Sequence, residues 1–86
     1  MDIKDYRKEI NEIDAELVKL FEKRMEVSKN IAAYKKANNL PTRDPEREKE
    51  ILDKHSKEVK PELSIYIYEF FEKLMQLSRD YQNSVR

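Results

Sequence analysis

Eighty-six residues hold one domain with little interior, so residues 1–86 are read as a single domain for which any widening of the core would matter. With no cysteine, no glycine and His55 as the sole histidine, disulfides, thiolate metal sites and glycine-rich phosphate loops are excluded, and no metal or nucleotide cofactor is expected. Eighteen basic side chains balance eighteen acidic ones, which leaves no overall positive field for nucleic acid.

From Tyr6 the apolar positions Ile10, Ile13, Leu17, Leu20, Phe21, Val27 and Ile31 recur with helical spacing, and no proline interrupts them before Pro41. This periodicity separates the chain from disordered sequences of similar charge content. One helix is predicted from about residue 3 to 37. At 1.5 Å per residue it is roughly 50 Å long, beyond the span of a compact globule of this size, and it requires a partner along its length. The run Asn38 to Arg43 breaks the pattern, and Asp44 followed by Pro45 reads as an N-cap with proline at the first helical position. A second helix is predicted from Pro45 to about Lys57, thinly apolar through Ile51 and Leu52, with one face in water. After a break at Lys60 and Pro61, the series Ile67, Phe70, Phe71, Leu74, Leu77, Tyr81 and Val85 predicts a third helix of about 23 residues. The fold class is therefore all-α, in the order long, short, long. No apolar run approaches the roughly 18 residues of a membrane span, and the opening MDIKDYRKEI lacks a signal-peptide core, so a cytoplasmic location without a membrane partner is expected.

The informative positions are polar residues on the apolar stripes. Arg24 continues Leu17, Leu20 and Phe21, and Lys35 follows Ile31 by one turn. Eleven residues separate Arg24 from Lys35, close to three full turns, so both point the same way and can converge on one anion. Taken singly, each basic side chain in a chain this charged is better explained by snorkelling to the surface or by pairing with a carboxylate. Ser78 and Gln82, one turn apart on the stripe of Phe71 and Leu74, insert hydrogen-bonding groups into an apolar seam. That is costly without partners. Spacing alone fits either a polar ligand or a register-setting pair of the coiled-coil kind. In TRDPERE, Arg47 suits an anion and Glu48 suits a hydroxyl donor, while an acidic helix start with Asp44 as cap is also ordinary architecture. Arg7 precedes Arg24 by 17 residues, about 25 Å along the axis. It reaches the same ligand only from a second copy of the chain whose long helix runs antiparallel to the first.

Taken together, YRKEINEID, EKRMEVSKNIAAYKK, TRDPERE and LSRDYQ resemble the AroQ-type chorismate mutases over nearly the whole chain. The resemblance implies an intertwined homodimer of three-helix subunits and a substrate, chorismate, that rearranges to prephenate in aromatic amino-acid biosynthesis. It places Arg7 of the partner subunit, Arg24, Lys35, Asp44, Arg47, Glu48, Ser78 and Gln82 on substrate-binding positions, and none of the eight departs from the pattern. On this basis Arg7, Arg24 and Arg47 serve the two carboxylates with Ser78 as an auxiliary donor. Lys35 and Gln82 donate to the ether oxygen, and Glu48, helped by Asp44, accepts from the ring hydroxyl. A concerted [3,3] rearrangement needs no nucleophile, metal or redox cofactor. Rival expectations are an isochorismate-pyruvate lyase of similar fold, which the presence of both Asp44 and Glu48 disfavours, and a non-catalytic helical dimerisation module. A third alternative has the domain working beside another enzyme of aromatic biosynthesis, fused or complexed.

Overall fold

The computed structural model of the protein describes residues 2–86, and these form three α-helices. The helix α1 runs Ile3–Ala37, α2 runs Pro45–Ser56, and α3 runs Ser64–Val85, with one 3-10 turn at Pro61–Leu63 leading into it. The predicted order holds, and each boundary falls within a residue or two of expectation.

Local chemistry explains the ends. Asp2 caps α1 by accepting from the amides of Lys4 at 2.8 Å and Asp5 at 3.2 Å, and Asp5 returns the favour by accepting from the Asp2 amide at 3.0 Å. This reciprocal box satisfies amides that the first turn leaves without carbonyl partners. At the other end Asn39 takes a left-handed φ of 54°. Its amide then reaches the Lys36 carbonyl at 3.3 Å, and the Leu40 amide reaches that of Lys35 at 2.8 Å. This Schellman closure commonly uses glycine, and asparagine, the residue most tolerant of that region after glycine, serves in its place. The helix α2 starts as predicted, with Pro45 at its first position and Asp44 Oδ1 accepting from the Arg47 amide at 3.1 Å. The chain turns into α3 at Pro61, where the Ser64 hydroxyl donates to the Ser56 carbonyl at 3.0 Å.

The helix α3 is the common element, since both α1 and α2 pack on it. At the far end of α2, His55 stacks on Phe71 of α3 with ring centroids 4.3 Å apart. Only Ala32 and Met75 are buried apolar side chains among the described residues, whereas Ile10, Ile13, Leu17, Leu20 and Phe21 along the first half of α1 stay exposed. The Cα radius of gyration is 15.9 Å, against about 12 Å for a compact chain of this length. The longest dimension, 54 Å, is that of α1. Between α1 and α3 lies an open apolar groove of about 500 Å³ lined by Leu17, Leu20, Phe21, Phe70, Leu74 and Leu77. No described helix is long and apolar enough to cross a membrane.

Candidate active site

Beyond the groove, towards the carboxyl end of α1, the three helices enclose a polar cleft of about 250 Å³. Arg24, Ser28 and Lys35 reach it from α1, Asp44, Arg47 and Glu48 from the start of α2, and Ser78, Arg79 and Gln82 from α3. Val27, Ile31, Ile51 and Met75 supply its apolar walls. Seven of the eight residues singled out in the sequence meet here. Arg7 does not: it lies exposed on α1, nearly five turns from Arg24, and does not line the cleft.

The cleft carries four basic side chains, Arg24, Lys35, Arg47 and Arg79, against the carboxylates of Asp44 and Glu48. Part of this charge is already committed. Glu48 Oε2 accepts from Arg79 Nη1 at 2.6 Å, and Glu48 Oε1 lies 3.5 Å from Arg43 Nε. Asp44 is committed to the α2 cap, and Arg47 pairs on the exposed side with Glu50 at 3.4 Å. Lys35 Nζ donates to the Thr42 carbonyl at 2.7 Å, which leaves two of its three protons. Arg24 has no ion pair among the described residues. Burial, and after it the positive charge of Arg47, push its guanidinium below the ordinary arginine value. A cation so placed is stabilised by an incoming anion. Excess positive charge in a partly desolvated cleft, with planar guanidinium forks, suits a dicarboxylate.

The floor is formed by side chains that are polar and almost wholly buried. Ser28 is 4% exposed, and Ser78 and Gln82 are each 7% exposed. The Ser28 and Ser78 hydroxyls lie 2.6 Å apart, and Gln82 Nε2 makes a long 3.4 Å bond to Ser78 Oγ. Gln82 Oε1 is buried with no hydrogen-bond partner among the described residues. An amide so held keeps donor and acceptor capacity for a ligand.

The sequence reading did not single out Ser28, Thr42 or Arg79. A signal existed for Ser28, which sits one turn after Arg24 and two turns before Lys35 on the same stripe. Thr42 enters through its backbone carbonyl, which no side-chain pattern announces. It is held there by Asn83 Oδ1, which accepts from Thr42 Oγ1 at 2.7 Å, and by Arg86 Nη1, which donates to Thr42 Oγ1 at 2.7 Å. Among the described residues no cluster of histidine and acidic side chains suits a metal ion.

Residues 6–83 match the family described as chorismate mutase type II. Over 53 residues the chain is 43% identical to a bifunctional chorismate mutase/prephenate dehydratase of Aquifex aeolicus, a match covering 62% of this chain and 15% of that protein. A protein of the same description from Buchnera aphidicola subsp. Schizaphis graminum is 49% identical over 53 residues, 62% of this chain and 14% of its own. The chorismate mutase of Methanocaldococcus jannaschii is 42% identical over 50 residues, 58% of this chain and 50% of that protein. The matched region is thus half or less of each relative's length. No solved structure matches the chain. The match across residues 6–83 places the chain in the chorismate mutase type II family.

Proposed function

We propose that the chain, acting as one domain, is a cytoplasmic chorismate mutase that converts chorismate to prephenate as an intertwined homodimer. The observation that carries this reading is the convergence of Arg24, Lys35, Arg47 and Gln82 on a cleft with more positive than negative side chains. A flexible diacid bound there is held in a compact conformer in which the two carbons that must bond lie close together. As the ether bond breaks, negative charge gathers on its oxygen. Lys35 Nζ and the Gln82 amide are the donors assigned to that oxygen, and donors already fixed in place cost no reorganisation in the transition state. Arg24 and Arg47 take the carboxylates with Ser78, and Glu48, oriented by Arg79 and supported by the Asp44 cap, accepts from the ring hydroxyl. No covalent intermediate forms.

The exposed stripe of α1 supports the dimer. These side chains are already about half covered in one copy, so burying the rest of each against a second copy contributes roughly half of the 1.5–3 kcal/mol of a full burial. In an antiparallel pairing of two α1 helices, the exposed Arg7 of one copy comes to the Arg24 end of the other and closes the site. The relatives named above that join a mutase to prephenate dehydratase support a prephenate-consuming enzyme as the partner class.

The test is chorismate consumption by purified protein, followed by absorbance with prephenate confirmed as product, beside Arg24→Ala and Arg7→Ala. Turnover in the wild type, lost in both variants while they remain dimeric, is the expected result. A folded dimer without turnover sinks the reading, and isochorismate would be the next substrate assayed.

A further inference from the structure

The floor of the cleft contains a hydroxyl pair of which the mutase reading uses only one member. Ser28 on α1 and Ser78 on α3 are both buried with their Oγ atoms 2.6 Å apart, and Gln82 Nε2 approaches Ser78 Oγ at 3.4 Å. A hydroxyl offers one proton and two lone pairs. Two hydroxyls bring two protons, and the bond between them uses one. Gln82 already occupies one lone pair of Ser78, and of the two possible directions of the Ser28–Ser78 bond, donation by Ser28 would fill the second. Ser78 is then left with its own proton as its only free capacity, on the wall of a cleft whose basic groups cannot accept it. In the opposite arrangement Ser78 gives its proton to Ser28 and has nothing to donate to an anion.

We propose that Ser28 is a positioning residue: by donating to Ser78 Oγ it fixes Ser78 as a donor to a carboxylate oxygen of the substrate, an inference that rests on the mutase reading. Packing does not require a hydroxyl at this position. Ala32, one turn further along α1, is 1% exposed in the same seam, so alanine fits there. A buried hydroxyl costs free energy unless it is bonded, and the partner of Ser28 is a residue of the site itself.

Steady-state kinetics on the wild type, Ser28→Ala, Ser78→Ala and the double variant test the proposal. A hydrogen bond held equally in ground and transition states changes KM rather than kcat. Ser28→Ala is expected to raise KM roughly three- to tenfold at nearly unchanged kcat, and to add nothing in the Ser78→Ala background. Ser28→Cys keeps the volume with a much weaker donor and is expected to follow Ser28→Ala. Additive effects in the double variant, or a wild-type KM in the cysteine variant, overturn the proposal. A wild type that leaves chorismate untouched removes the mutase reading and this inference with it. An active wild type beside an unaltered Ser28→Ala removes the Ser28 inference alone.

Discussion

Gln82 is expected to make turnover insensitive to pH, because a glutamine amide donates at every physiological pH whereas a carboxyl donates only when protonated. Turnover is therefore expected to stay nearly flat from mildly acidic to mildly alkaline conditions. In Gln82→Glu it should fall by about tenfold per pH unit once the new carboxyl ionises. A pH–rate profile of the variant that does not decline with rising pH would remove Gln82 from the ether oxygen. Arg24 leads to a different expectation. Its guanidinium is held below the ordinary value by burial and then by Arg47, so the folded protein carries an unfavourable cation at every pH below the arginine range, relieved only at strongly alkaline pH or by a bound anion. Arg24→Ala should leave the thermal midpoint unchanged or higher while abolishing turnover, and a marked loss of stability would show that the side chain is structural instead. The sequence exposed these two residues because each interrupts an apolar stripe with a group that is costly there. It concealed Ser28, since serine on a helix reads as surface until a second helix is seen to cover it, and Arg79, whose 2.6 Å bond to Glu48 joins residues 31 apart.

Helix ends set where the side chains of the cleft begin, and most of them were legible because capping is local chemistry. Asp44 with Pro45, and the prolines at Pro41 and Pro61, mark their boundaries by residue type alone. The closure at Asn38 and Asn39 was legible as a break, but not as the Schellman turn that brings Leu40 back over Lys35. Nor was the strap across the 38–44 connection visible, since Arg86 Nη2 donates to the Leu40 carbonyl at 2.7 Å from 46 positions away. The two caps make separable predictions. Asp44→Ala removes the bond to the Arg47 amide and should cost about 1 kcal/mol of stability. Because Arg47 and Glu48 sit in the turn it caps, it should lower kcat/KM as well. Asn39→Gly relieves the left-handed φ at a point outside the cleft, and should raise the melting temperature by a few degrees with turnover unchanged. Thermal melts paired with kinetics would separate the two, and a stability loss in Asn39→Gly would mean that the asparagine side chain does more than tolerate the turn.

At the scale of the whole molecule, one copy of the chain has a site but almost no core. Among the described residues three of the five buried side chains are polar, and they belong to the cleft, while the apolar stripe that reveals α1 in the sequence is largely exposed. The periodicity predicted the helix correctly, and the helix length predicted the need for a partner, yet a single sequence does not specify the geometry of that partner. In the proposed dimer a second α1 running antiparallel along the first would cover the stripe and carry Arg7 across, and folding, association and completion of the site would then be one process. The melting temperature should then rise with protein concentration, as it does when association supplies the stability. Leu17, 48% exposed beside the apolar groove, is the residue to alter. In one copy Leu17→Glu merely replaces an exposed side chain, with little effect on a folded monomer. In the proposed dimer it would bury an unpaired carboxylate, and the expected result is loss of association, of cooperative melting and of turnover together. Sedimentation equilibrium alongside the activity assay checks this, and a Leu17→Glu protein that is monomeric, folded and fully active would show that the second copy contributes nothing to the site.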